Sequence, residues 1–131
     1  MIQPIKWKGD HILILDQTKL PEREQYLICR DVESVIDAIN RLAVRGAPAL
    51  GVIAAMAVAL EAGNIKTDSF REFYQKFTHT CSRIFKTRPT AVNIDWALER
   101  LKYIVLKKNK KNILNIGWIN HINKYYTVFT I

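Results

Sequence analysis

The chain has 131 residues, 49% of them hydrophobic and 24% charged, which suits one globular domain with a modest core and excludes a disordered polymer. Its formal net charge of +8 is unevenly placed: 13 basic and 12 acidic residues precede Arg100, and from Arg100 onward there are seven basic residues and no acidic one. A nearly neutral body argues against a nucleic-acid partner, since such binders carry their basicity on the folded face.

Residues 2–31 read as strands. Trp7 ends one run, Gly9-Asp10 makes a turn, and His11-Ile12-Leu13-Ile14-Leu15 forms the next run. After the polar loop 16–25, Tyr26-Leu27-Ile28-Cys29 makes a third, so a small antiparallel sheet is predicted. His11 stands beside a turn with no second histidine near it in sequence, and it reads as structural or solvated; no metal site is expected. Asp16-Gln17-Thr18 offers a carboxylate, an amide and a hydroxyl. Such a string either lines a polar site or bonds its own backbone in a turn, and the turn is the commoner outcome.

Val32, Val35, Ile36, Ile39, Leu42 and Ala43 recur at helical spacing behind Asp31, a good cap, which predicts a helix ending near Val44. A second helix is predicted from Ala47 to about Ala62, with Pro48 in its first turn and Gly63-Asn64 closing it. It is apolar on nearly every face, so it is surrounded by protein, and its run is too short to span a bilayer. No membrane partner follows. Gly46, between the two helices, tolerates any backbone angle and leaves the first N–H groups of the second helix open to a close approach. With Arg45 one residue earlier, that junction suits an anion, phosphate above all. A plain helix–helix turn with a surface arginine accounts for the pattern equally well.

Thr67-Asp68-Ser69 offers caps for a third helix, whose apolar face is Phe70, Phe73, Tyr74, Phe77, Cys81, Ile84 and Phe85. That stripe reads as core, packed against the alanine-rich helix, and not as a base-stacking platform. Arg88-Pro89 breaks the pattern, and a fourth helix runs through Ile94, Leu98, Leu101 and Val105. Arg88 therefore also stands beside a helix start. If the two starts face the same way, Arg45 and Arg88 converge on one doubly charged phosphate.

Cys29 and Cys81 are too few and too far apart for a disulfide framework or a metal knuckle, and both lie in apolar patterns, as buried free thiols do. From Lys107 the composition shifts to Lys, Asn, Ile and Tyr without a sustained helical or strand period. The β-prone Tyr125-Tyr126-Thr127-Val128-Phe129-Thr130-Ile131 invites pairing with another chain. The expected organisation is a domain over 1–106, with strands to residue 30 and helices from 31, followed by a divergent tail over 107–131. A charged signal start with an apolar core is not evident at the front of the sequence, and a cytoplasmic location is the expectation.

Asp16-Gln17-Thr18-Lys19-Leu20-Pro21, Val44-Arg45-Gly46-Ala47-Pro48-Ala49 and Arg88-Pro89-Thr90-Ala91-Val92-Asn93, in that order, resemble methylthioribose-1-phosphate isomerase over residues 1 to about 106. The resemblance covers the amino-terminal part of that family, which is similar to the regulatory subunits of initiation factor 2B and to ribose-1,5-bisphosphate isomerases. It implies an α+β fold, a three-stranded antiparallel sheet followed by about four helices, with the Rossmann-like second domain absent. It also implies aldose–ketose isomerisation of S-methyl-5-thioribose 1-phosphate in methionine salvage, no cofactor, and a homodimer for full-length members. The family's substrate-binding residues fall on Arg45, Gly46, Ala47 and Arg88, while its catalytic cysteine and aspartate belong to the second domain. A chain truncated or frame-shifted after about Leu106 and inactive alone is the resulting expectation. A non-catalytic regulatory module of the initiation-factor type, or a fragment like a ribose-1,5-bisphosphate isomerase, is the alternative.

Overall fold

The computed structural model describes residues 4–41, 43–44 and 46–107. Strands β1 (Ile5–Trp7), β2 (Ile12–Leu15) and β3 (Tyr26–Cys29) form an antiparallel sheet in the order β1-β2-β3. The register pairs Ile5 with Ile14, and Ile12 with both Trp7 and Cys29. Because side chains alternate across a strand, this register puts Ile5, Ile12, Ile14 and Cys29 together on the buried face, while Ile28 points outward. The β1–β2 turn closes through the Lys8 N–H donating to the His11 carbonyl at 2.9 Å, with Gly9 at a φ of 93° that other residues rarely adopt. His11 lies beside Asp10, its Nδ1 2.6 Å from the carboxylate, and no metal-holding cluster occurs among the described residues.

Four helices follow: α1 (Val32–Asn40), α2 (Ala47–Ala62), α3 (Phe70–Thr87) and α4 (Val92–Lys107). Asp31 caps α1 by accepting from the Ser34 N–H at 2.8 Å, and Ser69 caps α3 by accepting from the Glu72 N–H at 3.3 Å. Helix α2 is the centre of the molecule. It packs on α1, α3, α4 and β1, and every residue from Leu50 to Leu60 is buried. That accounts for the all-round apolar sequence, since each face has a protein neighbour. Gly63 ends α2 in right-handed geometry, at φ −64° and ψ −20°, not in the left-handed form typical of a glycine cap. None of the helices among the described residues is long and apolar enough to cross a membrane.

Two predicted features differ. Helix α1 stops at Asn40, not near Val44, because the Ala43 N–H reaches back five residues to the Ala38 carbonyl, a wider closure than a helix makes. Ala43 and Val44 are buried by tertiary packing, and their apolar character imitates a continued helix. Phe85 lies off the core at 36% exposure, whereas Phe73, Phe77, Cys81 and Ile84 are buried as expected, with Phe70 and Tyr74 packed beside them. The predicted tail residues after Lys107 lie outside the described residues.

Candidate functional site

Three short segments that are far apart in sequence approach one another at the start of α2. The first is the junction itself. Gly46 is the N-cap of α2 at φ 94° and ψ 134°, and no side chain caps the helix. In α1, in α3 and in the turn at residues 17–19 a side-chain oxygen accepts an early N–H; at α2 none does. Gly46, Ala47 and Pro48 are exposed, and the first main-chain bond of the helix is the Leu50 N–H donating to the Gly46 carbonyl at 3.0 Å. The N–H groups of Ala47 and Ala49 thus stand at the positive end of a buried sixteen-residue helix. Arg45 lies outside the described residues.

The second segment is the start of α4. A methyl group on Gly51 would lie 3.1 Å from the Asn93 carbonyl oxygen and 3.3 Å from its Cβ, so the backbones meet closely here and a side chain at residue 51 would press on Asn93. Gly51 is one turn into α2 and Asn93 is the second residue of α4, so the two helix starts lie side by side. Arg88 precedes α4 as the C-cap of α3, at φ −145° and ψ 74°. Its N–H donates to the Phe85 carbonyl and its carbonyl accepts from the Ala91 N–H at 2.9 Å, which fixes the corner between α3 and α4. The residue is half-buried, and no carboxylate among the described residues pairs with its guanidinium. Arg88 therefore sits at the corner leading into a helix whose first turn touches α2.

The third segment is Asp16-Gln17-Thr18. Its side chains make turn chemistry: Asp16, 1% exposed, accepts from the Thr18 N–H at 2.9 Å and from the Thr18 hydroxyl at 2.5 Å. Those bonds, Thr18 foremost, hold the Asp16 carboxyl below the ordinary carboxylate range, with smaller help from Arg41 and Lys19. The turn also reaches the junction, through the Gln17 N–H donating to the Ala43 carbonyl at 3.0 Å. Nothing in the residue types announces that bond, because it is made by backbone. Gly51 was equally silent as a lone glycine in an apolar run; its place one turn inside the helix was the available signal.

The remaining reactive candidates are disposed of by burial. Desolvation pushes the Cys29 thiol up to about 11 and the Cys81 thiol up to about 12, the opposite of what a nucleophilic or proton-shuttling thiolate requires. Both are free and buried, as the sequence implies.

Sheet, helices and connections define the class first: an α+β domain in which a three-stranded antiparallel sheet precedes four helices built around one buried helix. The chain belongs to the initiation factor 2 subunit family, whose model matches residues 43–126, from the α1–α2 junction through α4 and beyond. It is 45% identical over 112 residues to the methylthioribose-1-phosphate isomerase of Citrifermentans bemidjiense, covering 86% of this chain and 32% of that protein. It is 46% identical over 101 residues to the enzyme of the same name from Heliobacterium modesticaldum, covering 77% and 29%. Among solved structures it is similar to 5-methylthioribose 1-phosphate isomerase from Pyrococcus horikoshii, with a TM-score of 0.83 at 30% identity over 98% of this chain and 36% of that one. The translation initiation factor eIF-2B subunit delta from A. fulgidus gives a TM-score of 0.76 at 31% identity over the same shares. The chain thus spans about a third of the length of the relatives it matches.

Proposed function

We propose that this chain carries part of the sugar-phosphate site of a methylthioribose-1-phosphate isomerase of methionine salvage, and that it does not turn over substrate alone. The observation that carries the reading is the Gly51–Asn93 contact, which lays the start of α2 beside the start of α4 in a chain 45% identical to an enzyme of that name. In this reading the N–H groups of Gly46 and Ala47 and the guanidinium groups of Arg45 and Arg88 hold the phosphate dianion of S-methyl-5-thioribose 1-phosphate. Binding is only part of the reaction. Opening the ring and moving hydrogen between adjacent carbons requires a group that gives and takes a proton, and donors that steady charge on oxygen. Among the described residues the thiols are buried, Asp16 is engaged by Thr18, and Asp95 is an exposed residue in the first turn of α4, so none of these suits that role. The reacting groups belong to the portion of the relatives that this chain does not span.

Incubation of the purified chain with the sugar phosphate tests this, with ketose formation followed by NMR. No turnover is the expected result, and a rate typical of enzymes contradicts the reading. The likeness to the initiation-factor subunit favours a second reading, a non-catalytic module that works through a protein partner. A stoichiometric complex with such a partner, unaffected by Arg45→Ala and Arg88→Ala, would favour it.

A further inference from the structure

A path of hydrogen bonds leads from the sheet, through the Asp16 carboxylate, to Ala43 just before the α2 start. At the end of β2 the Leu15 N–H donates to the Pro4 carbonyl at 2.7 Å, and next to it the Asp16 N–H donates to the Gln25 carbonyl at 2.8 Å. Asp16 then caps the turn Gln17–Lys19 through the two bonds from Thr18. The turn presents the Gln17 N–H to the Ala43 carbonyl at 3.0 Å, while the Ala43 N–H is held by the Ala38 carbonyl at 3.0 Å. Ala43 is buried and is therefore gripped through both of its main-chain groups, by the turn on one side and by α1 on the other. Gly46 follows three residues later.

We infer that Asp16, Gln17 and Thr18 are positioning residues for the anion site: they set where the junction enters α2 and touch no ligand themselves. The inference rests on the phosphate-site reading above. A glycine cap without a side-chain bond has little to fix its own geometry, and an anion held by main-chain N–H groups is sensitive to small displacements of them. The link through Ala43 supplies that fixation. Asp16 serves by shape and by accepting from Thr18, and Gln17 serves through its N–H alone, so its amide side chain is dispensable.

Gln17→Pro separates these roles. Gln17 opens the turn, where proline is tolerated, and Asp16 before it is already extended at φ −74° and ψ 103°, as a residue before proline must be. The substitution therefore removes the N–H to Ala43 and little else. Inorganic phosphate is titrated into the full chain by NMR, with folding verified by circular dichroism and melting. Gln17→Pro should bind phosphate about five- to tenfold more weakly than the parent chain, whereas Gln17→Ala should match it. Asp16→Ala should weaken binding similarly, and Asp16→Asn, whose carbonyl still accepts from the Thr18 N–H, should recover most of the loss. Equal losses in Gln17→Ala and Gln17→Pro would overturn the proposal by making the side chain a direct contact, and so would parent-like binding in Gln17→Pro.

Amide hydrogen exchange at Leu50, the first bonded N–H of α2, supplies a readout free of ligand. It should quicken in Gln17→Pro and not in Gln17→Ala, and unchanged exchange would overturn the positioning role. If the parent chain takes up no phosphate, the site reading falls, while the exchange data still decide whether the turn fixes the junction. Should Gln17→Pro not fold, Thr18→Val takes its place, removing the hydroxyl bond to Asp16, with the same quickened exchange expected and the same contrary result.

Discussion

Helices α2 and α4 are each sixteen residues long and lie against one another, yet they are held in different ways. Helix α2 is buried from Leu50 to Leu60 and meets solvent at its ends, most openly at Gly46 to Pro48. Helix α4 buries Ile94, Ala97, Leu98, Leu101, Ile104 and Val105, and leaves Val92, Trp96, Tyr103 and Leu106 exposed along the opposite side. The difference teaches where each helix is held: α2 cannot shift from Leu50 onward without disturbing the whole core, while its exposed start is approached by the bonds at Ala43. The start of α4 is held where Asn93 meets Gly51, where Ile94 is buried and where Arg88 turns the corner.

The sharpest way to break this contrast is to place a charge in each helix. Ile53→Asp puts a carboxylate at a fully buried position of α2 and should cost about 4 kcal/mol or more in urea unfolding. Val92→Asp, at a residue 76% exposed at the start of α4, should change stability by less than about 0.5 kcal/mol. Similar costs at the two sites would mean that α4 is enclosed as α2 is.

Next in size is the contact between the two helices. Gly51→Ala forces a methyl group against the Asn93 backbone and should destabilise by about 1–3 kcal/mol, despite alanine's better helix propensity. A gain in melting temperature would show that the two starts are not in close contact.

A smaller effect is expected from acid at the turn that leads to the junction. The folded-state Asp16 carboxyl is held below its ordinary value by Thr18, so its contribution is fully present above the ordinary carboxylate pKa and is lost as pH falls through the lowered folded value. Thr18→Val should therefore be less stable than the parent at pH 7, with the gap narrowing below about pH 4. A gap that widens with acid would contradict the assignment.

The smallest signal concerns the thiols. Cys29 and Cys81, buried and raised to about 11 and 12, should react with a thiol probe at neutral pH far more slowly in the folded chain than in urea. Equal rates would place one of them at the surface.

Much of this architecture is legible in the residues. Alternation at Ile12 and Ile14, the caps Asp31 and Ser69, and the Ala47 start with Pro48 in the first turn each have a local physical cause, and the structure places the elements there. The end of α1 is not legible, because Ala43 is apolar on account of its burial in tertiary packing and not of a helical face. Phe85 fails for a related reason: helical spacing assigns it to a stripe wider than the surface available to cover it. Of the candidate site, Gly46 and Arg88 could be singled out by type and by neighbours. The proximity of their helices depends on Gly51 and Asn93, a contact that links distant parts of the chain and leaves no periodic trace.

The central claim is that two guanidinium groups at neighbouring helix starts hold one anion. Calorimetric titration of inorganic phosphate into the parent chain and into Arg45→Ala and Arg88→Ala tests it most directly. One site per chain is expected, weakened about tenfold or more by either substitution with the fold unchanged. Phosphate binding that is indifferent to Arg88→Ala while Arg45→Ala abolishes it would contradict the claim.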